Sequence, residues 1–441
     1  MTRLTELIAG AASLDITPPV GVDLCGYGNR SGPSVGVADE LFAKALYLEA
    51  GGRALIITAD IIGLDYASVA TVREQIAGAT ALSPDEIMIG CSHTHSGPGT
   101  PCLPTLGSTD EAYFPVLLRR LAAVGELAVT RAADAWVGHS REHADVGINR
   151  RQSWGTEPSD GTARGPHIEH VDVLAVNGVH GPVARLFVHP AHGVTLGGDN
   201  LLISADWMGY AQRYIERLDP GVVALFGQGC CGNINSEPRG SFEIAEAQGR
   251  SMAGAVLKAA ELAHCTRNTT VAVARETYPL PCFDPPPLAE AEETLADAEQ
   301  KLHDHPDANH GHRMYLEGMV KWARWLAEAS RDGATGLQIA YETQGIRVGD
   351  FALIGLPGEV FVEYAMQIAA RSAFQQTAVM SYTNGTPGYI PTAAAHQYGG
   401  YEIEGAYRFY CGGYTMVRPD AERLILDAAD AVLRRLLTAG T

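Results

Sequence analysis

No run of apolar residues in this chain is long enough to cross a bilayer. The longest, Ala54–Ala59, Ile61–Leu64 and Val222–Phe226, have the length of strands. The opening segment, Met1 to Gly10, has no charged region ahead of a long apolar stretch, so no secretory signal is expected and the expected compartment is the cytoplasm. Positive charge is scarce. Lys and Arg number 32 against 51 Asp and Glu, a formal net charge of −19. Such a surface repels phosphate backbones and anionic lipid, which argues against nucleic acid and against membrane insertion. Cysteine occurs 8 times without a C-x-x-C pair. The spacing suggests no disulfide framework, and free thiols in a reducing compartment are the expectation. The adjacent Cys230 and Cys231 read as two small packed residues in a tight turn. Repeats and low-complexity tails are absent. So is a G-x-S-x-G elbow, which removes the α/β-hydrolase serine. Gly227–Gly232 fits G-x-G-x-x-G after a strand, but Asn233–Pro238 behind it is loop-like where a dinucleotide fold needs a helix. No nicotinamide cofactor is expected.

What is present suits a large folded core: 441 residues, 46% hydrophobic and only 19% charged. Patterning predicts strands at Ala54–Ala59, Glu86–Gly90, Val171–Val176, Val183–Val188, Val222–Phe226, Thr269–Tyr278 and Phe351–Leu356. It predicts helices at Ala67–Gly78, Tyr113–Arg131, Ala205–Leu218, Ile244–Ala263, from about Glu359, and at Ala421–Ala439. Pro285 to about Gly333 differs in being rich in Ala, Glu, Leu, His and Trp. It reads as a helical hairpin broken at His305-Pro306 and inserted between strands. Its histidines, His303, His305, His310 and His312, read as a polar surface turn rather than a metal site. The expected architecture is one α/β domain over residues 1–441. It has a mixed multi-stranded sheet flanked by helices, with the hairpin insertion at about 285–333.

The segment Cys91-Ser92-His93-Thr94-His95-Ser96-Gly97-Pro98-Gly99 follows a strand. Histidines at i and i+2 on extended backbone project to one side, and imidazole is a common zinc ligand. The small residues that follow leave room for a substrate. Other strand ends point the same way. Phe187-Val188-His189-Pro190-Ala191-His192 ends a strand in histidine, and Leu356-Pro357-Gly358-Glu359 puts a carboxylate at a strand end, opening a helix. Asp60 ends Ala54–Ala59. Strand carboxyl ends gather on one side of an α/β sheet, where sites form. Tyr389 lies in the turn-rich segment Thr386–Thr392. Two histidines, a glutamate and a tyrosinate oxygen would make a coherent zinc shell.

Taken in order, these segments resemble the neutral/alkaline non-lysosomal ceramidase family. Ala11–Pro19 with Gly26-Tyr27 is similar to its opening, and Asp60 to the acidic residue after its early strand. His93–Gly99 matches its most specific motif, and Asn149-Arg150 its asparagine–arginine pair. His189-Pro190, Ser204-Ala205-Asp206 and Gly209-Tyr210 match the next block. Pro357-Gly358-Glu359, Tyr389-Ile390-Pro391-Thr392 and Tyr401-Glu402 match the later ones. The resemblance implies Zn2+ held by His93, His189, Glu359 and Tyr389, with His95 and Arg150 facing a substrate whose amide is hydrolysed. Zinc lowers the pKa of bound water to about 7. His95 then protonates the leaving group, and Arg150 steadies an oxyanion or binds a substrate carboxylate. Asp60 orients a ligand histidine.

Two departures shape the expectation. The family pattern carries an aspartate and a serine where this chain has Asn233 and Asn235. That removes a nucleophilic-serine route and leaves activated water. The resemblance also covers only the family's catalytic domain, without its further β-sandwich domain. The expected substrate is therefore a small soluble amide, or an ester or lactone, rather than ceramide. Two other readings stand beside it: a metal-dependent isomerase or lyase acting on a polar metabolite such as a sugar, and a catalytically inactive binding protein of the same fold. Homo-oligomerisation stays open.

Overall fold

Most strands of this protein read as unbroken apolar runs because both their faces are covered. The computed structural model describes residues 5–439. Its large sheet contains β1 (Ile8–Asp15), β2 (Phe42–Glu49), β3 (Arg53–Ala59), β4 (Ile87–Cys91), β5 (Ala133–His143), β6 (His170–Gly178), β7 (Gly181–His189) and β8 (Val223–Gln228). The order across it is β8-β7-β6-β5-β1-β2-β3-β4. A second sheet, in the order β9-β10-β11-β12, is built from β9 (Val271–Pro281), β10 (Gln338–Val348), β11 (Phe351–Gly355) and β12 (Gln376–Met380).

Strand alternation divides the side chains between two cores. In β3, Leu55, Ile57 and Ala59 face helices, whereas Ala54 and Ile56 face the second sheet. The core between the sheets joins Leu46, Ile56, Met88, Leu174 and Leu225 to Ile346, Leu353 and Met380. On the outer face of the large sheet lie α1 (Tyr66–Ala79), α2 (Phe114–Thr130), α3 (Asp206–Leu218) and α4 (Phe242–Leu262). The hairpin is α5 (Leu288–Asp304) and α6 (His310–Arg331). The outer face of the small sheet is covered by α7 (Val362–Arg371) and α8 (Ala421–Thr438). The layers run helix, sheet, sheet, helix.

Most of the predicted elements stand within a few residues of their expected limits. One does not. The helix expected from Glu359 begins at Val362, and Glu359–Val360 is a short strand paired in parallel with Tyr389–Ile390. Asn233 sets that start. Its Oδ1 accepts the Val362 N–H at 2.9 Å, and its amide donates to the Glu363 carboxylate. Two hairpin histidines meet edge to face, His305 and His312 at 5.3 Å, but the four form no ligand cluster among the described residues: His305 Nδ1 meets the Lys301 carbonyl, and His310 meets Asp23. Among the described residues no helix is long and apolar enough to cross a membrane.

Within the two sheets three described strand pairs are parallel, and each is bridged by a helix: β3-α1-β4, β7-α3-β8 and β11-α7-β12. The loops leaving their carboxyl ends supply the site.

Candidate metal centre

β4 ends at Cys91, and the chain turns sharply to swing His93 inward. His93 adopts φ +58°, a left-handed conformation that histidine tolerates better than bulkier residues. Its Nδ1 lies 2.6 Å from the Ile62 carbonyl, in the loop after β3. Across from it, Tyr382 is also left-handed, at φ +54°, and its ring stacks on His93 at 4.2 Å. Strained backbone of this kind costs free energy and collects at functional sites.

β7 ends at His189, and Pro190, with no N–H to pair, takes the chain out of the sheet. Two residues on, His192 Nδ1 meets the Ile234 carbonyl at 3.0 Å. A carbonyl can only accept, so both imidazoles carry their proton on Nδ1 and present a bare Nε2. His192 Nε2 lies 3.0 Å from Glu359 Oε2, and His93 Nε2 lies 3.5 Å from the same oxygen. His95 Nε2 is 3.2 Å from His93 Nε2. One nitrogen from each of His93, His95 and His192 lies within 4.8 Å of the others. A tetrahedral shell with bonds of about 2.0–2.1 Å has ligand atoms about 3.4 Å apart, so this donor set fits a zinc ion.

Glu359 is 2% exposed. Burial alone would raise its carboxyl, but the His93 and His192 imidazoles hold it well below the ordinary range. Tyr382 donates to Oε2 at 3.2 Å, and the Tyr410 hydroxyl donates to Oε1. Burial pushes His192 down to about 4, with Glu359 acting against it, and drives His95 well below its ordinary value. The centre therefore sets two imidazoles that resist protonation, His95 and His192, beside a charged carboxylate, and a divalent cation draws on both kinds of donor.

His95 is walled in by the segment 23–30. A Cβ on Gly26 would come within 2.4 Å of His95 Nδ1. The Tyr27 ring lies 5.0 Å away, and Arg30 donates to the His95 carbonyl at 2.6 Å. His95 Nδ1 itself is buried without a partner.

Arg150 is 5% exposed and donates from Nε to Glu402 (2.7 Å), from Nη1 to Asn235 (3.3 Å) and from Nη2 to the Tyr389 hydroxyl (3.0 Å). Burial pushes the Tyr389 phenol well above its ordinary range, against the pull of Arg150. The other oxygen of Glu402 accepts from Arg151 at 2.7 Å. Arg150 thus reaches the site by holding Tyr389, and three of its five N–H groups are engaged by protein.

Two expected roles change. His189 does not join the cluster. It shares the face of β7 that carries Phe187, its ring meets the edge of Trp207, and its Nδ1 meets the His170 carbonyl. Its charged neighbours are His170, Asp145 and His167, whereas those of His192 are Glu359, Arg150 and His93. Strand parity turns His189 toward α3, and His192, beyond the proline, takes the expected place. Asp60 meets no imidazole; its carboxylate accepts from the Phe42 N–H and from Gln212, both at 3.0 Å. The group that orients His93 is the Ile62 carbonyl, so Asp60 acts on it only by bracing the loop.

Tyr382, Tyr410 and Glu402 complete the surroundings. Tyr401-Glu402 stood out in the sequence, but Tyr382 and Tyr410 carry no local signal. For His192 a signal existed: a proline directly after His189 ends the strand and frees the next histidine.

The family profile for neutral/alkaline non-lysosomal ceramidase, N-terminal, matches residues 7–253. No curated protein matches. A crystal structure of neutral ceramidase from Pseudomonas aeruginosa is similar with a TM-score of 0.73 and 18% identity, over 98% of this chain and 75% of that one. A ceramidase complexed with C2 is similar with a TM-score of 0.76 and 18% identity, over 98% and 76%. With more than half its length matched by the family profile, this chain belongs to the neutral/alkaline non-lysosomal ceramidase family.

Proposed function

We propose that this protein is a zinc-dependent hydrolase that cleaves the amide bond of a small soluble N-acyl compound. The observation that carries this reading is the convergence of His93, His192 and Glu359, with each Nδ1 tied to a main-chain carbonyl. Those three would hold the ion. Tyr389 would join them, because its strand register places it beside Glu359. Bound zinc polarises a carbonyl and makes water nucleophilic near neutral pH.

The chain's own residues supply the rest. His95, whose Nε2 faces the cluster 3.2 Å from His93 Nε2, would deliver the proton that the leaving nitrogen needs. Arg150, locked against Glu402, orients Tyr389 and keeps positive charge beside the developing oxyanion. Asn235 offers no nucleophilic hydroxyl; its side-chain oxygen accepts from Arg150.

The hairpin supports a small substrate. Gly311 N–H donates to the Arg30 carbonyl at 2.8 Å, and His310 reaches Asp23 at 2.7 Å, so α6 grips the segment that walls His95. A cavity of about 290 Å³ lies between Met314, Trp322 and Trp325 of α6 and the pair Arg408 and Tyr410; none of the proposed ligands lines it, and it meets their surroundings only through Tyr410.

Metal content by plasma mass spectrometry tests the assignment. His192→Ala should lower bound zinc by one ion per chain and abolish turnover of N-acyl substrates, while His189→Ala keeps that ion. Hydrolysis must place solvent oxygen-18 in the product. Loss of zinc in His189→Ala with none in His192→Ala would overturn the ligand set, and turnover without oxygen-18 would overturn hydrolysis.

A further inference from the structure

A second group of ligand-type side chains lies away from the cluster just described. Asp145 follows β5, while His167 and Glu169 lie in the loop that leads into β6. One donor atom from each of the three lies within 4.8 Å of the others. His167 Nδ1 meets the Gly165 carbonyl at 2.8 Å, which assigns its proton there and leaves Nε2 bare. That Nε2 is buried with no hydrogen-bond partner, on a side chain only 9% exposed. It points between two carboxylate oxygens, Asp145 Oδ1 at 3.5 Å and Glu169 Oε1 at 3.4 Å.

These separations are too long for charge-assisted hydrogen bonds, which run about 2.7–2.9 Å. They match the edge of about 3.4 Å expected between ligands of one four-coordinate ion. Arg164 also approaches Asp145 Oδ1, at 3.3 Å, but its shorter bond, 2.9 Å, is to the Gly147 carbonyl. The cation need not displace it. Glu169 is 61% exposed, so solvent can complete the shell.

We infer that Asp145, His167 and Glu169 form a second divalent-cation site, distinct from the His93–His192–Glu359 centre. One imidazole and two carboxylates select zinc or manganese over calcium or magnesium, which prefer all-oxygen shells. The role follows from position. Asn149 N–H donates to the Arg164 carbonyl at 2.8 Å, and its side-chain amide donates to the Pro166 carbonyl at 3.2 Å. The loop 154–169 thus wraps Asn149, which caps the short helix that begins with Arg150. An ion joining Asp145 to His167 and Glu169 pins that loop, and with it the approach to Arg150.

Equilibrium dialysis of chelator-stripped protein against micromolar zinc, and separately manganese, tests the site. Wild type should hold two zinc ions per chain, Glu169→Gln and His167→Gln one, His192→Ala one, and His192→Ala/His167→Gln none. Glu169→Gln alters an exposed side chain, so its fold is not at stake, and it should weaken the second ion at least tenfold. In the His192→Ala background, zinc should slow amide exchange across residues 160–169, and His167→Gln should remove that protection. Equal stoichiometry in wild type, His167→Gln and Glu169→Gln would overturn the site. If only the first centre is wrong, wild type holds one ion, His192→Ala keeps it and His167→Gln loses it.

Discussion

The large sheet delivers nitrogen to the centre and the small sheet delivers oxygen. His93 and His192 leave β4 and β7, whereas Glu359, Tyr382 and Tyr389 leave β11 and β12. The two sides are anchored differently. On the nitrogen side, main-chain carbonyls of Ile62 and Ile234 hold the rings. On the oxygen side the partners are side chains: Tyr382 and Tyr410 on Glu359, Arg150 on Tyr389, and Glu402 behind Arg150. A main-chain anchor survives most substitutions. A side-chain network transmits them, because each buried polar group depends on the next.

The largest effect should therefore come from Glu402, which is 1% exposed and shared by two guanidinium groups. Glu402→Gln leaves Arg150 buried without its counter-charge and Arg151 with Glu157 alone, and should cost about 3–5 kcal/mol. It should also impair turnover by loosening Tyr389. Denaturant unfolding reads the first effect and kcat the second. Glu157→Gln removes only the outer partner of Arg151, and should cost about 1 kcal/mol. Equal costs for the two would mean that charge does not hold the oxygen side.

The same contrast explains what the sequence conveys. Strands with two covered faces announce themselves as apolar runs, so β3, β4, β6, β7, β8 and β11 were legible. β1 and β2 were not. Gly10 interrupts β1, where a Cβ would strike the Ala128 carbonyl, and Lys44 interrupts β2, buried against Glu216 at 2.6 Å. Both break the pattern for reasons that exist only in the packed molecule. In the site, His93, Glu359 and Tyr389 were legible because each sits in a motif at a strand end or tight turn. Tyr382 and Tyr410 reach Glu359 from turns whose neighbours give no hint of it. The choice between His189 and His192 turned on strand parity, which a motif does not express.

Acid should expose the nitrogen side. Burial pushes both His189 and His192 down to about 4 in the folded protein, from an ordinary 6.5. Between those values the unfolded chain takes up protons that the native state refuses. Each of these two histidines should by itself lower stability by about 3 kcal/mol as pH drops from about 6.5 to about 4, while Asp206 and Glu363, which burial raises to about 6 and about 7, act against them in the same window. The Glu359 contribution persists through this window, because its folded carboxyl titrates below the ordinary range. Unfolding of chelator-stripped wild type and His189→Asn isolates one ring as a difference: the variant should lose about 3 kcal/mol less than wild type between about pH 6.5 and about pH 4. The same pH dependence in wild type and variant would mean that the His189 ring is not held neutral.

The smallest effect lies outside both sides, at the hairpin. A Cβ on Gly311 would meet the Arg30 backbone, its nitrogen at 2.7 Å and its oxygen at 2.9 Å, and backbone cannot swing aside. Gly311→Ala should cost about 1–2 kcal/mol by overpacking. It should also lower kcat several-fold, because the displaced segment carries Gly26 and Arg30 against His95. Metal content should not change, since His93 and His192 are anchored elsewhere. His310→Ala, which removes a half-exposed ion pair with Asp23, should stay within about 1 kcal/mol. The informative comparison is between short and long N-acyl substrates. If α6 limits the room beside His95, loosening it should raise relative turnover of the longer chain. Unchanged selectivity alongside lost stability would reduce the hairpin to packing, and the preference for a small substrate would lose its structural support.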